Sequence, residues 1–247
     1  MKELLLSYAK QLHFNSDILE AIESIKSKNP LEIVCEVFKA EIELKRINKI
    51  NAIIKQAKFD VFKTFEGYKW DGIQIPNSIT SDDIISSEFI DNKENLILYG
   101  NVGTGKTHMA IAAGISACNS GKKVKFYRTA TLVNELVEAN KQGYLLKLMK
   151  QIEKCDLLIC DEWGYVPVDS NGAKLLFQVI ADCYERKSVI ITTNLEFGKW
   201  NGIFYDEKLT SAIIDRVIHH SHLLVFDRPS YRAEYSMLKN KAGKNTK

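Results

Sequence analysis

The stretch GNVGTGKT, residues 100–107, decides the fold, because it matches G-x-x-x-x-G-K-[ST] throughout and lies between a strand-like run, LILY, and a helical pattern, KTHMAIAAGISAC. Its glycines permit a loop whose backbone N–H groups point at phosphate oxygens, and the helix N-terminus adds partial positive charge. We therefore predict a phosphate-binding loop in which Lys106 reaches the β- and γ-phosphates and the Thr107 hydroxyl binds Mg²⁺. The residues predicted to contact the nucleotide are Gly100, Asn101, Val102, Gly103, Thr104, Gly105, Lys106, Thr107 and His108.

The stretch DLLICDEW adds two adjacent carboxylates at the end of an apolar run. In a sheet of parallel strands, ligands bind at the carboxyl ends of the strands. We predict that Asp161 holds Mg²⁺, directly or through water, and that Glu162 orients and deprotonates an attacking water. The adjacent glutamate also argues against a kinase, in which the acceptor is a substrate hydroxyl.

A further strand-like run, SVIITTN, ends at Asn194. Its amide could hydrogen-bond the attacking water or the γ-phosphate, and it could equally cap the following turn. The chain contains no N-K-x-D sequence of the kind that reads guanine, which favours ATP over GTP.

Strand-like runs and helical patterns alternate over residues 95–233, and this alternation predicts an α/β domain with a parallel five-stranded sheet flanked by helices. The five runs are LILYG, KVKFYR, DLLICDE, SVIITTN and HLLVFD. The helical patterns between them cover residues 106–119, 130–142, 145–154, 172–187 and 207–220.

The segments before and after this domain differ in character. Residues 1–63 show helical spacing and predict a small all-helical domain, with a long helix that begins at Pro30 after an Asn29 cap. Residues 64–94 predict a connector in which ITSDDIISSEFI forms one short helix, and residues 234–247 a basic tail.

Composition is typical of a soluble globular protein, with 45% hydrophobic and 26% charged residues. No apolar run approaches the roughly 18 residues of a membrane span, and the N-terminus lacks the features of a signal peptide. The five cysteines include no C-x-x-C pair and are expected to be buried and reduced. These features predict a cytoplasmic protein with no membrane partner.

Positive charge is concentrated in two segments, although the net charge is only +3. Lys45 to Lys69 contains seven basic and two acidic residues, and the segment after Asp227 contains six and one. The pattern is compatible with binding to an anionic polymer such as DNA. It is equally compatible with a helix face and a tail that are only exposed to solvent. The candidate DNA contacts on the basic helix are Lys45, Arg46, Lys49, Lys55 and Lys58.

The order of GNVGTGKT, DLLICDEWGYVPVD, ITTNLEFGKW, SAIIDRVIHH and RPSYR resembles the IstB family over nearly the whole chain, including the connector sequence FEGYKW. That family consists of AAA+ ATPases that assist insertion-sequence transposition, and it is related to the DnaC and DnaI helicase loaders. The blocks GYVPVD and DRVIHH make the resemblance specific to this family, rather than to proteins with a phosphate-binding loop in general.

The resemblance implies further roles. Lys106 and Thr107 correspond to Walker A, Asp161 and Glu162 to Walker B, and Asn194 to sensor 1. Arg216 corresponds to an arginine finger that reaches the γ-phosphate bound by a neighbouring subunit. The resemblance also implies ATP-dependent self-association, DNA binding with little sequence preference and a partner transposase. Helicase-loader relatives place DNA-facing helices where this chain carries Lys141, Lys147 and Lys150.

Twenty residues follow Asp227, so we expect no full helical lid after the last strand. Arg232 matches the family motif and is a possible second sensor. The alternatives are a DnaC-like or DnaI-like helicase loader, a phosphotransferase that acts on a small metabolite, and a switch that binds ATP without turnover.

His219, His220 and His222 lie close together after Arg216. On a continuous helix His219 and His220 would point about 100° apart, and no carboxylate or cysteine stands at ligand spacing beside them. We therefore expect these histidines to stabilise a helix end or to pack at a subunit contact rather than to bind a metal.

Overall fold

The computed structural model describes residues 2–26, 29–165, 169–204 and 206–234. The chain divides into two compact units, Met1–Ile53 and Ile54–Lys247. The predicted domain boundaries at residues 63, 94 and 233 remain predictions. The predicted tail lies outside the described residues from position 235 onward.

The first unit is helical, as its apolar spacing predicts. Its helices are α1 (Lys2–Gln11), α2 (Ile18–Ser24) and the first part of α3 (Pro30–Ala57). The buried Glu41 carboxylate of α3 accepts the backbone N–H of Asn15 at 2.8 and 2.9 Å, and Phe14 meets Phe38 edge-on with ring centroids 6.2 Å apart. These contacts hold the turn between α1 and α2 against α3.

The second unit is an α/β domain whose elements follow the predicted alternation. Its strands are β1 (Ile73–Gln74), β2 (Asn95–Gly100), β3 (Val124–Arg128), β4 (Leu157–Trp163), β5 (Ser188–Thr193) and β6 (Ser221–Phe226). Its helices after α3 are α4 (Ser81–Ser86), α5 (Glu88–Asp91), α6 (Lys106–Asn119), α7 (Thr129–Lys141), α8 (Leu145–Glu153), α9 (Ser170–Cys183), α10 (Asn201–Phe204), α11 (Glu207–Ile218) and α12 (Tyr231–Glu234), with a 3₁₀ turn at Phe197–Lys199.

The sheet has six strands in the order β1-β6-β2-β5-β4-β3. All neighbours are parallel except β1, which pairs antiparallel with β6 through Ile73↔Phe226 and Gln74↔Val225. The prediction of a parallel five-stranded sheet is therefore confirmed for β2 to β6. Strand β1 adds a sixth, antiparallel strand at the edge of this sheet. Strands β2 and β4 both flank β5, so their carboxyl ends lie at one edge of the sheet.

Two local predictions are wrong. The stretch ITSDDIISSEFI forms two short helices, because Ser87 between them adopts a left-handed backbone (φ +69°) that interrupts the helical ladder. Helix α9 begins at Ser170, earlier than predicted, because the Asp169 side chain caps it by accepting the Gly172 N–H at 2.8 Å.

The core lies around β2, β4 and β5, whose central residues are almost wholly inaccessible to solvent. Four cysteines are buried as expected, whereas Cys35 on α3 is exposed, so the prediction of five buried thiols is wrong at this position. None of the described helices is both long and apolar enough to cross a membrane.

Candidate functional site

The phosphate-binding loop connects the end of β2 to the start of α6, in the strand–loop–helix arrangement that the motif requires. The Lys106 ammonium lies over the loop and donates from Nζ to the carbonyl oxygens of Gly100 and Asn101, each at 2.7 Å. Burial lowers the pKa of Lys106 to about 8, with the charge of Asp161 opposing and that of Arg232 reinforcing this shift. The loop thus presents a cation at its centre.

Gly100 is required by a close approach of neighbouring backbone. A Cβ atom at this position would lie 2.5 Å from the Phe226 carbonyl oxygen at the end of β6. At Gly103, where φ is +81°, a Cβ atom would lie 2.1 Å from the Ser230 hydroxyl. The segment that follows β6 therefore packs directly on the loop, and any side chain at either glycine would displace it.

Asp161 at the end of β4 is buried and receives three hydroxyl hydrogen bonds. Thr107 donates to Oδ1 at 2.9 Å and Thr192 donates to the same oxygen at 2.5 Å, while the Thr129 hydroxyl donates to the Asp161 backbone carbonyl at 2.8 Å. The two residues predicted to hold Mg²⁺ are thus in direct contact, and their role as metal ligands stays a prediction. A hydroxyl and a carboxylate at this distance are an oxygen ligand pair of the kind that Mg²⁺ uses.

Glu162 follows Asp161 but faces solvent, because the ladder between β4 and β5 is irregular between Cys160 and Trp163. Its backbone is left-handed (φ +58°), and its N–H donates to the Thr192 hydroxyl at 2.9 Å. Thr192 therefore orients both members of the acidic pair. Sequence reasoning missed Thr192, although it stands in the run SVIITTN two residues before Asn194.

Asn194 directly follows β5 and is exposed, at the same edge of the sheet as the acidic pair. This is the placement that its predicted role requires.

Arg228 is the second residue that sequence reasoning missed. Its Nε donates to the Thr104 carbonyl at 2.6 Å, and its Nη1 donates to the Lys69 carbonyl at 2.9 Å. A Cβ atom on Gly105 would lie 2.4 Å from its Nη2. One guanidinium thus joins the connector to the phosphate-binding loop, and no periodic pattern marks such a residue.

A cluster of aromatic residues from the connector packs beside the first turn of α6. Phe65 stacks on Trp70, and Tyr68 meets the His108 ring edge-on with centroids 5.0 Å apart. His108 also contacts the Thr64 carbonyl through Nε2 at 3.0 Å. Burial raises the pKa of the Tyr68 hydroxyl, against the opposing charge of Arg228. His108 therefore faces the connector.

Arg232 is the second residue of α12. The N–H of the preceding residue, Tyr231, donates to the Gly103 carbonyl at 3.0 Å. The charge of Arg232 contributes to lowering the pKa of Lys106 in the loop. The location is compatible with the predicted second sensor.

Arg216 lies at the other edge of the sheet. Helix α11 ends at Ile218 and leads into β6, which runs parallel to β2 in the register Asn95↔Ser221 to Gly100↔Phe226. Five strand steps of ~3.3 Å each, about 16 Å, separate the start of β6 from the level of the phosphate-binding loop. Arg216 donates to the Ala212 carbonyl at 2.9 Å and stacks over Phe177 at 5.0 Å. Its guanidinium is therefore held between α11 and the neighbouring α9.

The three histidines separate into two environments. His222 is buried in β6, with Nδ1 2.8 Å from the Ser78 hydroxyl and Nε2 3.2 Å from Glu94. His219 and His220 are exposed beyond the end of α11, and Glu185 lies next to them. The expectation that no carboxylate accompanies them is wrong, because Glu185 arrives from a distant turn that spacing along the chain does not reveal.

The candidate DNA-binding residues are all exposed, on α3, just after it, at the end of α7 and on α8. Two of them are paired within α3, Lys45 with Glu41 at 3.2 Å and Arg46 with Glu43 at 2.9 Å. The exposed Tyr144 lies just before α8, which carries Lys147 and Lys150. The block GYVPVD falls partly outside the described residues, at positions 166–168.

A family model described as IstB-like ATP binding protein matches residues 17–239. An ATP-binding protein of insertion sequence IS5376 from Geobacillus stearothermophilus is 34% identical over 250 residues, covering 99% of this chain and 100% of the relative. An insertion sequence IS21 ATP-binding protein from Pseudomonas aeruginosa is 32% identical over 247 residues, covering 99% of this chain and 92% of the relative.

Among solved structures, the DnaC helicase loader superimposes with a TM-score of 0.52 at 22% identity, covering 66% of this chain and 96% of that one. At this identity the likeness shows the fold alone. Over that part, the chain therefore shares the loader's fold, with a phosphate-binding loop on a mostly parallel sheet flanked by helices.

Proposed function

Because the chain belongs to the family of IstB-like ATP-binding proteins, we propose that it is a Mg²⁺-dependent ATPase that assembles on DNA and assists the transposase of an insertion sequence. The observation that carries the ATPase proposal is the meeting of Lys106, Thr107 and Asp161 at one edge of the sheet. The transposition context comes from the relatives, which match along their whole lengths or nearly so.

In this proposal the loop residues bind the triphosphate. The backbone N–H groups of the loop and the Lys106 ammonium would donate to phosphate oxygens, in place of the donation from Lys106 to Gly100 and Asn101. Thr107 and Asp161 would hold Mg²⁺, which supplies charge neutralisation at the phosphates.

Glu162 would orient and deprotonate the attacking water, and Asn194 would position that water or the γ-phosphate. Thr192 is a positioning residue, since it acts through Asp161 and Glu162. The resemblance of the block SAIIDRVIHH to the IstB family supports a role for Arg216 in completing the site of a neighbouring subunit. ATP turnover would then depend on self-association.

The test of the ATPase proposal compares the wild type with Lys106→Ala and with Lys122→Ala. Lys122 is a half-buried lysine paired with Asp91, outside the phosphate-binding loop, and serves as the matched control. We expect Lys106→Ala to lose nucleotide binding, measured by calorimetry with a non-hydrolysable ATP analogue, and Lys122→Ala to retain it. Tight binding by Lys106→Ala would overturn the assigned loop.

The DNA proposal rests on exposed basic residues on α3 and α8, supported on α8 by the neighbouring Tyr144, since an aromatic ring offers a stacking surface to unpaired bases. Binding through phosphates should weaken steeply as salt increases, because each contact releases a counterion. We expect the double variant Lys147→Glu/Lys150→Glu to bind DNA more weakly and with a shallower salt slope. Affinity that is independent of salt would exclude this mode.

A partner transposase is the least constrained part of the proposal. Co-purification of this protein with the transposase encoded by the same element, with and without ATP and DNA, tests it directly. A complex that forms with a ring helicase and not with a transposase would favour the helicase-loader alternative.

A further inference from the structure

A cluster of three metal-ligating side chains lies at the opposite edge of the sheet from the phosphate-binding loop. One carboxylate oxygen of Glu185 and one ring nitrogen from each of His219 and His220 all lie within 4.8 Å of one another. His220 Nε2 is 3.7 Å from Glu185 Oε1, and the two imidazole centroids are 4.1 Å apart. All three residues are exposed, so an ion could reach them directly from solvent.

The backbone explains how two adjacent histidines converge. Helix α11 ends at Ile218 with His219 as its C-cap in a helical conformation, and His220 lies in the turn before β6. Glu185 lies in the turn before β5 with a left-handed backbone (φ +56°). Both turns lead into parallel strands and so reach the same edge of the sheet.

Tyr184 orders the cluster through its hydroxyl group. The hydroxyl lies 2.9 Å from His219 Nδ1, and Glu185 is the next residue in the chain. The hydroxyl oxygen can accept the proton on His219 Nδ1. This arrangement leaves the Nε2 lone pair of His219 free to ligate, and it matches the way that metal-binding histidines are held by a hydrogen bond to their other nitrogen.

We propose that Glu185, His219 and His220 form a binding site for a divalent transition-metal ion of the zinc class. Two imidazoles and one carboxylate suit zinc, cobalt or nickel, whereas Mg²⁺ prefers oxygen ligands alone. Ligands at about 2.0–2.1 Å from a tetrahedral ion lie roughly 3.4 Å apart, so the cluster needs to contract by about an ångström. The contraction involves exposed side chains and no buried packing.

The site would clamp the turn before β5 to the turn before β6, close to Arg216. Arg216 lies three residues before His219, and its charge acts on Tyr184, as does that of Asp215. A bound ion would therefore hold in place the end of the helix that carries Arg216. This role is separate from Mg²⁺ at the phosphate-binding loop and does not depend on ATP turnover.

The experiment titrates the full-length protein with Co²⁺, whose visible absorption reports nitrogen and oxygen ligands in a four-coordinate site, followed by displacement with Zn²⁺. We expect one ion per chain, with affinity falling more than about 100-fold in His219→Ala and in His220→Ala. Tyr184→Phe should weaken binding about 10-fold to 100-fold, because it removes only the supporting hydrogen bond. His13→Asn, an exposed histidine in the first unit, is the control and should leave binding unchanged.

Three results would overturn the proposal. The first is the absence of saturable binding. The second is binding that survives in both histidine variants. The third is binding that disappears instead in Asp161→Asn or Cys35→Ser, which would place the ion at the phosphate-binding loop or on the exposed thiol. Circular dichroism of each variant checks that the fold is retained, which is expected for His219 and His220 because their side chains are exposed.

Discussion

Arg228 donates to the carbonyl oxygen of Thr104 at 2.6 Å, across 124 positions of sequence, and so fixes the phosphate-binding loop from outside. The same guanidinium binds the Lys69 carbonyl and lies over the Tyr68 ring at 5.7 Å. The geometry of the loop therefore depends on the connector and on the segment after β6 as well as on its own glycines.

Replacing Arg228 should loosen this loop. We expect Arg228→Ala to lower the free energy of unfolding by about 1–3 kcal/mol, because several carbonyl groups lose a charged donor. Nucleotide affinity should fall about tenfold, equivalent to ~1.4 kcal/mol. Denaturant unfolding and calorimetric titration measure the two effects. Arg46→Ala, which removes an exposed arginine paired within α3, should leave both quantities close to those of the wild type. Equal effects of the two variants would contradict the assigned role.

Thr192 should matter for turnover more than for binding. In Thr192→Val, Asp161 loses a hydroxyl donor and the Glu162 N–H loses its acceptor. We expect kcat to fall about 10-fold to 100-fold, a part of the ~10²–10⁴ that general-base catalysis contributes, with a smaller change in the Kd for ATP. Steady-state ATPase assays and binding titrations separate the two. Thr192→Ser keeps the hydroxyl and should be close to wild type; a matching loss in that variant would point to packing instead.

Arg216 should act on a neighbouring subunit. We expect Arg216→Ala to bind ATP normally and to hydrolyse it at least about 100-fold more slowly, since arginine fingers contribute ~10³–10⁵ to turnover. Mixing it with Lys106→Ala should restore part of the activity, because one variant supplies an intact loop and the other an intact arginine. Full activity of Arg216→Ala alone, or the absence of any recovery in the mixture, would refute the shared site.

The cysteines should differ sharply in reactivity. Burial raises the pKa of Cys118 and Cys183 to about 12 and that of Cys155 to about 11, and it raises the pKa of Cys160 as well. These thiols stay protonated at neutral pH and are shielded from reagents, whereas Cys35 is exposed. We expect one thiol per native chain to react rapidly with a thiol-specific reagent and five in denaturant. Cys35→Ser should remove the rapid reaction, and rapid labelling of several native thiols would contradict the assigned burial.

Much of the domain could be predicted from the sequence because its signals are local. The apolar runs that form β2 to β6 and the glycine spacing of the loop each lie within one short segment, and they place Lys106, Asp161 and Asn194 at one edge of a parallel sheet. Strand β1 was missed because a two-residue strand leaves no alternation to detect. The break at Ser87 was missed because serine carries no signal for a left-handed backbone.

The parts of the site that could not be predicted are long-range contacts between ordinary residues. Thr192 meets Asp161 from the adjacent strand, Arg228 meets Thr104 across most of the domain, and Glu185 meets His220 from another turn. The two residues of each pair lie far apart in the sequence, so no motif of fixed spacing marks them. Only the assembled sheet brings them together.

The left-handed backbone of Glu162 sets stability against the role as a base that we propose for this residue. A side chain in this conformation costs about 1–2 kcal/mol relative to an unstrained backbone, a cost that glycine would not incur. On folding free energy alone, position 162 therefore favours glycine, which has no side chain to act as a base. A search for stabilised variants of this protein would be drawn toward glycine here, and a search for active ones would reject it.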